Sequence, residues 1–138
     1  MEEWREKREK EAKKFISTRA KSAFEKIAAR YKNKAKVEIK NNEYSIKITI
    51  TPEDGKPFSY TLIATIYRPA PKFPDYPSGR VLVFATRKIG NSELSNIPLI
   101  KSYNYTASEI TEKEIIDNFE AWLRLPLSRL KDRLLRNS

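Results

Sequence analysis

Ten basic residues fall between positions 13 and 40: Lys13, Lys14, Arg19, Lys21, Lys26, Arg30, Lys32, Lys34, Lys36 and Lys40. Only two acids, Glu25 and Glu38, share that stretch. An array of this density can lie along a phosphate backbone, each contact releasing a condensed counterion. The plainer role for such charges is a solvated helix face, and the acids gathered before residue 12 favour that role for the first turns.

The positive charge is also segregated. Residues 1–42 hold 14 Lys/Arg and 7 Asp/Glu, a surplus of 7 out of the chain's net +10. Residues 43–105 carry 8 basic and 5 acidic residues, and residues 106–138 carry 6 of each. Self-repulsion within a compact basic patch destabilises a fold, so the concentration points to an anionic partner.

Three further groups bear on function. On the wet side of the predicted sheet, Lys47, Thr49, Tyr67, Arg68, Arg87 and Lys88 mix cations with a ring, the combination on which single strands stack their bases. Strand aromatics more often serve as core or as cross-strand pairs. A proline-rich stretch over residues 68–79 predicts an extended arm or long loop, where Lys72, Phe73 and Tyr76, with Arg80 just beyond, could grip a nucleic acid or a neighbouring subunit. Finally, Glu38-Ile39-Lys40 with Glu53 and Asp54 offers carboxylates and an ammonium for a magnesium-dependent nuclease. In such sites an acid usually sits on a strand before the Glu-x-Lys pair; here Asp54 follows it, in a turn, so chance alternation on an edge strand is the better account.

Cysteine and histidine are both absent. That removes disulfides, thiolate nucleophiles, the usual zinc ligands and imidazole acid–base catalysis. No cofactor and no metal are expected. Three glycines, one methionine and abundant Lys, Glu and Ile lean towards a thermophile's composition. No apolar run approaches the roughly 18 residues of a membrane span, and the charged start has no apolar signal core, so a cytoplasmic protein without a membrane partner is expected.

The elements that must position these groups follow from periodicity. Phe15, Ile16, Ala20, Ala23, Phe24, Ile27, Ala28 and Tyr31 recur at helical steps, predicting one long helix from residue 2 to about 32. Residues 1–14, almost purely charged, are expected to project as an extension. Period-two alternation then predicts a strand at Lys36–Lys40, a second at Tyr44–Thr51 and a third at Phe58–Arg68, the last largely apolar or threonine on both faces and therefore central. A fourth is predicted at Arg80–Lys88, and a short extended piece at Leu99–Tyr105 after a polar loop at Gly90–Asn96. Thr111-Glu112-Lys113-Glu114 is a capping box that opens a helix carrying Ile115, Ile116, Phe119, Trp122 and Leu123, kinked or ended at Pro126.

The expected fold is α+β in one domain over residues 1–138: a long N-terminal helix packed on a four- to five-stranded antiparallel meander, with a C-terminal helical segment kinked at a proline. The expected function is non-enzymatic nucleic-acid binding of low sequence specificity. Single strands are favoured, because the chain has aromatics and a sheet but no groove-reading helix-turn-helix signature. The site residues are the ten cations above with Lys72, Phe73, Tyr76 and Arg80. The alternative is an assembly subunit whose basic helix pairs with an acidic protein, and the third reading is the nuclease. A homo-oligomer, a dimer, is expected from the long helix and the apolar surface.

Overall fold

The helical stripe is realised from Glu3 to Tyr31 as α1 (Glu3–Phe15), a π-helical turn (Ile16–Ala20) and α2 (Lys21–Tyr31), with helical dihedrals across both junctions. The structure is a computed structural model that describes residues 3–53, 55–67, 80–90, 92–98 and 107–124. The π turn has a geometric use. Five steps along the buried stripe, from Ala12 through Ile16, Ala20, Phe24 and Ile27 to Tyr31, cover 19 residues, whereas five turns of regular α-helix take about 18. One wide turn absorbs the extra residue, with the Lys21 N–H donating to the Ile16 carbonyl five positions back. Next to it the Thr18 and Ser17 hydroxyls donate to the Lys14 carbonyl at 2.6 and 3.4 Å, a side-chain competition that favours distortion. Within the stretch expected to project, Ala12 is wholly buried and Trp4, Arg8, Glu9 and Glu11 are half-buried.

Five strands form an antiparallel meander in chain order: β1 (Ala35–Asn41), β2 (Ser45–Pro52), β3 (Phe58–Tyr67), β4 (Arg80–Ile89) and β5 (Ser92–Pro98). Asn42 closes the β1–β2 hairpin, its Oδ1 accepting from the backbone N–H groups of Tyr44 (3.0 Å) and Ser45 (2.9 Å). The β3 strand is central, as its composition predicts. The fifth strand lies elsewhere than expected: the Gly90–Asn96 segment, read as a polar loop, supplies most of β5. Lys88 pairs with Glu93 and Ile89 with Ser92, and at the end of β4 Gly90 has φ 59°, in the left-handed region glycine tolerates. Polar composition hid a strand that the Gly-Asn pair announces.

The inner sheet face presents Ile46, Ile48, Ile50, Phe58, Tyr60, Leu62, Ala64, Val81, Val83 and Ala85, all buried. The long helix and α3 (Glu112–Arg124) cover it, so the architecture is α+β as predicted. Phe119 anchors α3, its ring 5.5 Å from Tyr60, 5.8 Å from Phe58 and 6.1 Å from Tyr31. Beside it the buried Tyr60 hydroxyl donates to Asn118 Oδ1, and burial raises the Tyr60 pKa well above the usual phenol value. No helix among the described residues is long and apolar enough to cross a membrane.

The capping box forms as predicted. The Glu114 N–H donates to Thr111 Oγ1 at 3.1 Å, and the Thr111 N–H donates back to Glu114 Oε1 at 3.3 Å. Thr111→Ala is expected to lower stability by about 1 kcal/mol, read as a reduced urea midpoint at unchanged slope. An unchanged midpoint would mean the cap contributes nothing. The proline-rich arm, the piece at Leu99–Tyr105 (apart from its neighbours in β5) and the Pro126 kink lie outside the described residues.

Candidate nucleic-acid interface

The ten cations of the predicted site do not form one array once the fold is in place. Those on the α3 side of the helix are engaged within the chain. Arg19 Nη1 donates to the Ile110 carbonyl at 2.9 Å, just before α3 begins. Lys26 Nζ lies 2.9 Å from Glu112 Oε1, which also accepts from the Ser22 hydroxyl at 2.8 Å. These two donors hold the Glu112 carboxyl below the usual carboxylate range. Arg30 Nη1 lies 2.9 Å from Glu120 Oε1, which the Tyr31 hydroxyl also reaches at 3.1 Å. The two ion pairs add little stability, because Lys26 and Arg30 are exposed. Arg19, Lys26 and Arg30 thus link the helix to α3 and to Ile110 just before it.

Lys13 turns to the β1–β2 hairpin, 3.8 Å from Glu43 and 5.7 Å from the centre of the Tyr44 ring. Lys14 and Lys21 are exposed, with no acidic partner among the described residues. Lys32, Lys34 and Lys36 do come together. With Asn33, Thr51, Pro52 and Glu53 they line a depression of about 470 Å³ where α2 turns into β1. Lys36 also lies 3.5 Å from Glu38 on its own strand. Of the three carboxylates named for a nuclease, Glu38 stands opposite Thr49 and Glu53 follows the Ala35–Pro52 pair at the strand end, so these two are not neighbours in the register, and Asp54 lies outside the described residues. Among the described residues no three metal-ligating side chains converge.

The outer sheet face carries Lys40 together with Lys47 and Lys88, two cations from outside the ten. Since paired residues on neighbouring strands share a face, the register fixes its rows. Lys40, Lys47, Thr61 and Thr86 form one row across β1 to β4, and Glu38, Thr49, Ser59 and Lys88 form the next. Lys40 and Lys47 are thus directly opposed like charges, both exposed, an arrangement that costs stability. Lys47 and Lys88 flank a depression of about 130 Å³ lined also by Ser59, Thr61 and Thr86. The Thr49 and Ser59 hydroxyls are hydrogen-bonded at 3.1 Å on its margin. Glu93 is opposite Lys88 in the β4–β5 register.

Towards the other end of β3 and β4 the same face becomes apolar. Ile63 pairs with Phe84, Thr65 with Leu82, and Tyr67 with Arg80. The Tyr67 and Phe84 rings approach to 6.3 Å across the Leu82–Thr65 pair; Leu82 is only 5% exposed, although it lies outside the main core, and Tyr67 is 41% exposed. One side of the sheet therefore joins a cationic, hydroxyl-rich half to an aromatic half.

Of the residues read as the wet face, Lys47, Thr49, Tyr67 and Lys88 are placed there. Arg87 is not: it stands opposite Tyr60 on the inner side, half-buried, and desolvation lowers its pKa. Arg80 is on the outer face and half-buried. Lys72, Phe73, Tyr76 and Arg68 fall outside the described residues. Sequence reasoning missed Ser59, Thr61, Thr86, Leu82 and Phe84, because the phase of β4 relative to β3 follows only from the pairing. No protein-family model, curated protein or solved structure matches this chain.

Proposed function

We propose that this chain is a non-enzymatic nucleic-acid-binding protein of low sequence specificity that takes single strands on the outer face of its sheet. The observation that carries this reading is the placement of Lys47 and Lys88 on β2 and β4, facing hydroxyls, with Lys40 directly opposite Lys47. Lysines on an edge strand are commonly explained as guards against edge-to-edge pairing, which accounts for Lys36 and Lys40 on β1. That explanation does not reach Lys47 or Lys88, because β2 and β4 are interior strands. A polyanion relieves the repulsion that the fold leaves standing.

The aromatic half supports a single strand over a duplex. Unpaired bases offer ring faces to Tyr67 and Phe84, at roughly 1 to 3 kcal/mol per stacked base, whereas a duplex hides them. The alternative in which the helix pairs with an acidic protein has fewer cations to draw on, since Lys26 and Arg30 already meet acids of α3.

The test is fluorescence anisotropy of labelled single- and double-stranded oligonucleotides at about 50 and 200 mM salt. Tighter binding of the single strand, falling steeply with salt, is the expected result. Absence of binding at the lower salt, or an affinity indifferent to salt, would overturn the reading and favour an assembly or adaptor role.

A further inference from the structure

We propose that the depression between Lys47 and Lys88 is a seat for one phosphate group, a defined subsite rather than part of a diffuse basic surface. The proposal deepens the nucleic-acid reading and rests on it for the source of the phosphate. Two ammonium groups on strands that sandwich β3 flank the depression, and Ser59, Thr61 and Thr86 line it with three hydroxyls. Ammonium groups supply charge from two sides while hydroxyls donate to the remaining oxygens, a donor set that suits a tetrahedral oxyanion, and the two positive charges repel a cation. A volume of about 130 Å³ accommodates one such group.

The surroundings extend the argument to a nucleotide. Phe84 lies two residues from Thr86 on β4, so the two share a face and stand about 7 Å apart along the strand. A phosphate bound beside Thr86 would therefore leave its own or the neighbouring base within reach of the Phe84 ring and of Ile63, its cross-strand partner. The hydroxyl row and the aromatic patch are thus spaced on the scale of one nucleotide unit.

Nuclear magnetic resonance titration of the full chain with inorganic phosphate, against sodium chloride at matched ionic strength, tests the seat. Saturable shifts confined to Lys47, Ser59, Thr61, Thr86 and Lys88 are expected, with Lys47→Gln or Lys88→Gln weakening them about ten-fold, the loss of one charge-assisted hydrogen bond. Lys113→Gln, on the exposed side of α3, serves as the control and leaves them unchanged. Shifts that chloride reproduces, or that spread evenly over all lysines, would overturn the seat. A second arm measures oligothymidylate binding by the same variants. If the oligonucleotide binds wild type and both variants equally, the seat is overturned while nucleic-acid binding stands through other cations. If phosphate fills the seat but no oligonucleotide binds at low salt, the seat stands, the nucleic-acid reading fails, and the ligand is a free phosphate compound.

Discussion

Replacing Phe119 with alanine is expected to cost about 3 to 5 kcal/mol, the largest loss of any single substitution considered for this chain. The ring is fully buried and lies within 6.1 Å of three others, Tyr31 from the helix and Phe58 and Tyr60 from the sheet. Removing it leaves a cavity where helix, sheet and α3 meet, and these rings cannot collapse inward without moving whole elements. Against a typical total of about 5 to 15 kcal/mol, such a loss brings the protein close to its unfolding threshold. Urea denaturation followed by circular dichroism measures it. A loss below about 1.5 kcal/mol would mean that α3 is not held to the sheet through this ring. The comparison with Glu120→Gln is informative, because the exposed Arg30 that it pairs with limits that contact to roughly 1 kcal/mol or less.

The second large effect concerns binding. Simultaneous replacement of Lys36, Lys40, Lys47 and Lys88 by glutamine is expected to remove about four phosphate contacts. Each contact to a single strand adds about 0.7 to the slope of log affinity against log salt, so the slope should fall by about 2.8. Over the interval from about 50 to 200 mM salt those four contacts account for about a 50-fold change in affinity, which the variant would no longer show. At about 200 mM its affinity should be lower than wild type by about 100-fold. The replaced side chains are exposed, so the fold should survive within about 0.5 kcal/mol per site. Relief of the Lys40–Lys47 repulsion offsets part of any loss. The decisive comparison is Lys14→Gln with Lys21→Gln on the helix. A greater loss of affinity in that pair than in the sheet variant would move the interface to the helix.

These two expectations rest on different amounts of sequence information. The helical stripe ending in Tyr31, the alternation of Ile46, Ile48 and Ile50, and the capping box at Thr111 are local patterns. Each reads out of neighbouring residues because dihedral preference and side-chain direction repeat within a few positions. The segregation of charge onto residues 1–42 is likewise a property of the chain alone. So is the central place of β3, whose residues are apolar or hydroxylic on both sides.

What the cations do was decided only by tertiary structure. Arg19, Lys26 and Arg30 look like Lys14 and Lys21 in sequence, yet their partners are Ile110, Glu112 and Glu120, about ninety positions away. Alternation within β4 separates Arg87 from Lys88 but cannot say which of the two faces water. That choice belongs to the β3–β4 register, which sets Arg87 against Tyr60 and Lys88 against Ser59. The π turn is intermediate: the 19-residue span of the stripe from Ala12 to Tyr31 is written in the sequence, but the place of the wide turn that absorbs the extra residue is seen only in the structure. Local periodicity thus laid out the helices and the first four strands, while long-range pairing placed β5, decided which face each side of β4 takes and chose which charges meet a partner within the chain, because an ion pair or a strand register depends on residues that sequence distance does not bring together.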